Sequence, residues 1–198
     1  MGDRLCGFYA SNAQRYFGVD PNTAVYKNYF KQIEFYEKFT HKDVHIENLP
    51  AEDVDFSGNE FDVIFTSPPY FNTEKYCDEG TQSWKRYDNL DSWLNNFLFK
   101  ILRNSYEHLK DDGFLIINIS DIVSNDIKIC DRMNDYIRSL DNSNYLGCIG
   151  MCMSKRPGKN MLSVTDKDNV FCEPVWIWQK SSNPTTLDKI FKNEIEEW

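Results

Sequence analysis

The chain has 198 residues, 41% of them hydrophobic and 15% aromatic, enough to bury a sizeable core within one domain and too much for a disordered chain. Its 22 Lys and Arg against 31 Asp and Glu give a formal charge of -9, which excludes a surface that binds nucleic acid all over, because phosphate contacts need cations in excess. The six cysteines contain no C-x-x-C pair, which argues against zinc, and no apolar run approaches membrane-spanning length, so no membrane partner is expected.

In chain order, Leu5, Phe8, Tyr9, Ala13 and Tyr16 recur at helical spacing, and "YFGVD" predicts a short strand ending at Asp20. Residues 22–39 return to helical spacing through Val25, Tyr29, Ile33 and Tyr36. "DVHIEN" (43–48) and "FDVIFT" (61–66) follow as strands, the second read as buried. Asp91 is the expected cap of a helix whose apolar face is Leu94, Phe97, Leu98, Ile101, Leu102 and Leu109, with "KDDG" ending it. "FLIINI" (114–119) is a strong buried strand, a helix is expected over 129–140, and strands near 146–153 and 170–179 close the chain. No helix separates those last two, so they are expected to pair antiparallel. Alternating helices and apolar strands predict an α/β fold with a mostly parallel sheet, and residues 1–198 are expected to form one catalytic domain.

"FDVIFT" runs directly into Ser67-Pro68-Pro69-Tyr70, at the carboxyl end of a strand where α/β sheets place ligands. Pro68 and Pro69 have fixed φ and no N–H, so the turn is stiff and offers acceptors, the Ser67 hydroxyl and the Pro68 carbonyl. Tyr70 adds a flat ring on which a base can stack. Two acceptors and a ring suit a planar ligand with an exocyclic amine. The alternative is a structural turn with a packed tyrosine; the position after a buried strand favours a site. Asp20 reads equally as a carboxylate for a ligand hydroxyl or as a helix cap before Pro21. Asp121 is expected to be a turn or cap residue.

On these residues the chain resembles the S-adenosylmethionine-dependent DNA amino-methyltransferases, which modify cytosine N4 or adenine N6. "TSPPYF" is similar to the cytosine-N4 form of their signature, and "GDRLCGFYAS", "YFGVDPN", "LPAED", "GFLIINISD" and "EPVWIWQK" follow the family's order. The resemblance implies a Rossmann-like sheet, S-adenosylmethionine as cofactor and DNA as partner. It implies that Ser67 and Pro68 hold the target amine in a turn that Pro69 stiffens, and that Tyr70 stacks on a flipped base. Gly2 would close the cofactor loop, Asp20 would take the ribose hydroxyls, and Ala51 with Glu52 or Asp53 would lie at the adenine; Pro50 departs from the family's usual residue. Lys155, Arg156 and Lys159 in "SKRPGK" form the densest basic strip for nucleic acid, although a solvated loop reads as well. Methylation at cytosine C5 needs a cysteine nucleophile, usually after proline, and here no cysteine follows a proline. The thiols are therefore expected to be core residues, free in a reducing cytoplasm.

The family's central first strand and its G-x-G are expected to be missing, since "MGDRL" begins where that loop should be half finished. That leaves three explanations: a fragment of a longer gene, which is favoured, a second chain supplying the strand, or a decayed copy.

Overall fold

Two sheets organise the computed structural model, which describes residues 3–122, 126–152 and 172–192. The chain divides into two compact units, Met1–Asp55 with Phe71–Ile101 and Phe56–Tyr70 with Leu102–Trp198.

The first unit holds α1 (Asp3–Ala10), β1 (Arg15–Val19), α2 (Thr23–Tyr36), β2 (Asp43–Glu47), a 3₁₀ turn at Ala51–Asp53, and α3 (Ser83–Arg86). It also holds α4 (Leu90–Trp93) and the π turn at Leu94–Leu98; α5 (Phe99–Glu107) begins in this unit and lies mostly in the second. β1 and β2 pair in parallel, from Arg15 beside Asp43 to Val19 beside Glu47. Parallel neighbours need a crossover, and α2 supplies it. Asn22 starts that helix by accepting from the Ala24 and Val25 amides, both at 3.1 Å. Leu5, Phe8, Tyr9 and Ile46 form the core, with Tyr29, Ile33 and Tyr36 packed against it. The expected first helix is shorter than its periodicity suggests: it ends at Ala10, and Tyr16 belongs to β1.

The second unit holds β3 (Phe61–Thr66), β4 (Leu109–Asn118), α6 (Cys130–Arg138), β5 (Ser143–Cys152), β6 (Cys172–Lys180) and α7 (Leu187–Phe191). Its sheet order is β3-β4-β6-β5, with β3 parallel to β4 and β6 antiparallel to both neighbours. The expected C-terminal antiparallel pair is present. Among the described residues β1 pairs only with β2, and β3 only with β4.

Three local expectations are corrected. The cap of α4 is Asn89, whose side chain accepts from the Ser92 amide at 2.8 Å, and Asp91 falls in the first turn. "KDDG" does not end a helix but bulges out of β4: Phe61 lies beside Leu109 and Val63 beside Phe114. Asp112 reaches φ +66° in that bulge, a region aspartate tolerates better than most residues, and a Cβ on Gly113 would lie 2.9 Å from the Lys110 carbonyl. Finally, "FDVIFT" is not buried throughout. Val63 is 53% and Phe65 42% exposed, because β3 is an edge strand among the described residues. No described helix is long and apolar enough to cross a membrane.

Asp121 is a cap, as expected. Its Oδ1 accepts from the Ile129 and Cys130 amides at 2.7 and 2.9 Å, at the start of α6. Burial works to raise its carboxyl, but those two amides and Lys128 outweigh burial and hold it below the usual range. Asp121→Ala is expected to lower stability at neutral pH by about 0.5–2 kcal/mol in denaturant unfolding. Because the folded pKa is depressed, that contribution is present above the unfolded value of about 3.9 and is lost as pH falls through the folded one. The stability difference between variant and parent should therefore close on the acid side.

Candidate active site

β3 and β4 run in parallel with Thr66 beside Ile117, so the residue after β3 meets the last residue of β4. These are Ser67 and Asn118, and the Ser67 hydroxyl donates to Asn118 Oδ1 at 3.3 Å. Asn118 is only 5% exposed, and its Nδ2 donates to the Pro174 carbonyl at 3.1 Å. Pro68 is buried, while Ser67, Pro69 and Tyr70 are half-buried. A hydroxyl and an aromatic ring are thus carried on a turn that two prolines keep stiff. The next residue, Phe71, has φ +45°, a strained conformation for a bulky side chain at a cost of about 1–3 kcal/mol. Burial of its ring, edge-on to Trp93 at 6.0 Å, offsets that cost.

The carboxylates expected at a cofactor lie in the first unit, on the segments that follow its two parallel strands. The Asp20 amide continues the ladder by donating to the Glu47 carbonyl at 3.1 Å. Asp20 Oδ1 accepts from the Asn22 amide at 2.9 Å and Oδ2 from the Tyr29 hydroxyl at 3.1 Å. Asp20 is not the cap of α2, a place that Asn22 takes; it braces the turn before that cap, and of a carboxylate's roughly four acceptor directions about two remain open. Burial and the Asp20 charge push the Tyr29 hydroxyl well above its ordinary pKa, so it stays a donor. Glu79 sits at the start of α2, accepting from the Thr23 amide at 3.2 Å and from its hydroxyl at 2.9 Å.

In the 3₁₀ turn after β2, Ala51 is half-buried and Glu52 is 2% exposed. Glu52 Oε1 accepts from Arg86 Nη1 at 2.6 Å and from the Tyr87 hydroxyl at 3.0 Å. Its Oε2 is buried without a partner among the described residues. Arg86 Nη1 also lies 2.7 Å from Asp53 Oδ2, and Lys100 is 3.4 Å from Asp53 Oδ1. Burial pushes the Glu52 carboxyl up in spite of Arg86 and Tyr87, whereas the Arg86 hydrogen bond holds Asp53 low. Burial and the Glu52 charge push the Tyr87 hydroxyl up to about 12.

Gly2, Lys155, Arg156 and Lys159 lie outside the described residues. The cysteines are not uniformly core residues. Cys130 is buried, and burial, then the Asp121 charge, push its thiol up to about 12; Cys6 and Cys148 are exposed. Among the described residues no His, Cys, Asp and Glu cluster could hold a metal. Sequence reasoning did not single out Asn118, Arg86 or Glu79. An asparagine ending an apolar strand was the one available signal; nothing local marks the other two.

Residues 61–197 match the family model of the N6/N4 methyltransferases, described as DNA methylase. The chain belongs to this family. Its cofactor is S-adenosylmethionine, and a structural neighbour is in complex with S-adenosyl-L-homocysteine. No curated protein matches this methylase chain in sequence. Among solved structures it is similar to an rRNA methylase from Streptococcus thermophilus, at 10% identity and a TM-score of 0.50, over 91% of this chain and 81% of that one. It is also similar to the N-methyltransferase NodS from Bradyrhizobium japonicum, at 7% identity and a TM-score of 0.51, over 84% and 66%. A third, StiE O-MT, aligns at 10% identity and a TM-score of 0.57, over 96% and 67%. At such identities the likeness shows the fold, a Rossmann-like methyltransferase, and the chain spans about two thirds of the length of the last two.

The donor set of the first unit fits this cofactor. Asp20 keeps acceptor directions for sugar hydroxyls, and the orphaned Glu52 Oε2 is an acceptor of the kind an adenine amine needs.

Removing Arg86 would strand a buried carboxylate. Arg86→Ala should lower stability by about 3 kcal/mol, the low end for a broken buried pair, because the guanidinium is partly exposed. The raised Glu52 pKa means stability falls as pH rises from the unfolded value of about 4.3 through the folded one. Glu52→Gln should flatten that slope, measured by denaturant unfolding across pH.

Proposed function

We propose that this methyltransferase acts on the exocyclic amine of a base in DNA, with cytosine N4 the favoured target, and that residues 1–198 serve as one catalytic domain. The observation that carries this reading is the Ser67–Asn118 hydrogen bond where β3 and β4 end, on the same stiff turn as the Pro68 carbonyl and Tyr70. In this reading Ser67 and Pro68 accept the two amine N–H bonds, which draws the nitrogen lone pair out of ring conjugation. Pro69 keeps the acceptors in place, so their cost is met before the base arrives. Tyr70 stacks on the flipped base and repays part of the few kcal/mol of unstacking. S-adenosylmethionine, when bound, would supply the methyl group as a sulfonium whose sulfur keeps the departing electron pair, and the amine held by Ser67 and Pro68 would take that methyl on its freed lone pair and give up one proton to water.

Asp20 would hold the ribose hydroxyls, and Ala51, Glu52 and Asp53 would line the adenine, with Glu52 Oε2 as acceptor. Gly2 would belong to the loop at the cofactor, and Lys155, Arg156 and Lys159 would meet phosphates. Adenine N6 presents the same two N–H bonds to the same acceptors and is the alternative target. A non-catalytic partner subunit is favoured by a different observation, the one-sided pairing of β1 and β3 among the described residues.

Calorimetric titration of S-adenosylmethionine, followed by methyl transfer onto cytosine-only and adenine-only target DNA, separates these readings. Saturable binding with transfer to cytosine is expected; transfer to adenine alone selects the alternative target, and binding or folding without transfer selects the partner subunit. Asp20→Asn should weaken cofactor binding by roughly ten- to a hundredfold, the worth of a charge-assisted hydrogen bond. Tyr70→Ala should lower kcat/KM by roughly five- to 150-fold while cofactor affinity holds.

A further inference from the structure

We infer that Asn118 is a positioning residue for the methyl transfer: it accepts a hydrogen bond from the Ser67 hydroxyl and so turns the serine oxygen's lone pairs toward the target amine. The inference rests on the amine-methylation reading above and adds to it a residue outside the Ser-Pro-Pro-Tyr turn.

The argument starts at Pro174. β4 ends its pairing with β6 at Asn118 beside Val175, one residue short of Pro174. Pro174 still pairs with Gly150 of β5 on its other side. A proline is tolerated within this inner strand because the edge where its N–H is missing looks past the end of β4. Its carbonyl, which in an antiparallel strand points to that same edge, has no ladder amide to meet there. Asn118 Nδ2 fills the place at 3.1 Å.

A backbone carbonyl only accepts, so the end of the Asn118 side chain that faces Pro174 must be its NH2 group. That settles the amide orientation, which distance alone leaves ambiguous. The other end, Oδ1, then faces Ser67 at 3.3 Å, and Oδ1 carries no hydrogen. Ser67 must be the donor. A serine hydroxyl has one proton and two lone pairs, and committing the proton to Asn118 leaves the oxygen an acceptor toward anything else that approaches. An unconstrained hydroxyl would instead rotate, spending part of its time presenting a proton to the amine that it should accept from. Asn118 is 5% exposed, so water does not compete for the arrangement. Because an amide carbonyl is not basic, the Ser67–Asn118 pair accepts a hydrogen bond without relaying a proton, and the amine's proton leaves to water.

The test is a double-mutant cycle on the full chain, with tritiated methyl transfer from S-adenosylmethionine to cytosine-containing DNA as readout. Asn118→Ala, and Asn118→Leu which keeps the volume filled, should each lower kcat roughly three- to tenfold, with S-adenosylmethionine affinity by calorimetry unchanged. In a Ser67→Ala background the same substitutions should cost nothing further in kcat, because there is no hydroxyl left to orient. Trp176→Phe removes a hydrogen bond to the Ile119 carbonyl, 2.9 Å long in the parent, from the same strand pair, and controls for loss of stability; it should melt lower with kcat unchanged. Additive losses, or Asn118 variants at the parent's kcat while Ser67→Ala is impaired, would overturn the inference alone. Ser67→Ala at the parent's rate, or no transfer by the parent, would overturn the amine-methylation reading and this inference with it.

Discussion

The parallel register of β3 on β4 is the constraint on which the Ser-Pro-Pro-Tyr turn depends. Thr66 lies beside Ile117, so the first residue of the turn is delivered to the last residue of β4, and a polar pair forms where two apolar strands run out. A one-residue slip would turn Asn118 to the other face of the sheet and leave Ser67 beside an apolar neighbour. The register is held from below by the bulge at residues 110–113, where the shift between Phe61 and Val63 absorbs the extra residues of β4. It is held from above by the antiparallel pairing of β4 with β6, which ends at Asn118 and leaves the Pro174 carbonyl for its side chain.

The first unit is built on a different economy of charge. Its acidic residues brace segments after β1 and β2 and at the start of α2: Asp20 the turn into α2, Glu79 the first amide of α2, and Glu52 and Asp53 the two sides of Arg86. A carboxylate fully used in bracing could not also meet a ligand. Asp20 and Glu52 are not fully used, Asp20 because each oxygen receives one donor and Glu52 because Oε2 receives none among the described residues. Both side chains therefore brace the fold while keeping acceptor capacity open, and substitutions there should be read in both stability and affinity.

Composition, periodicity and one short motif were enough for the class of fold, the order of most strands and the family. Those features are local or nearly so: apolar runs specify strands wherever they are buried, and two prolines stiffen a turn whatever surrounds them. The cap at Asn89 rather than Asp91 and the bulge at residues 110–113 were misread because several polar residues in a row offer equivalent signals, and only packing chooses among them. The exposure of Val63 and Phe65 was misread for another reason. Burial belongs to the sheet's neighbours and not to the strand's own sequence.

What the sequence determined by itself is the chemistry on offer: a serine hydroxyl, a proline carbonyl and a tyrosine on a rigid turn after a strand, in a chain of the N6/N4 methylase family. What only tertiary structure decided is which way that chemistry points. Ser67 and Asn118 are 51 residues apart and Asn118 and Pro174 are 56 apart, so the hydrogen bonds that orient the hydroxyl join residues that no local pattern relates. A hydroxyl's direction is set by its partner, and the partner is chosen by strand register, which exists only once the sheet has formed.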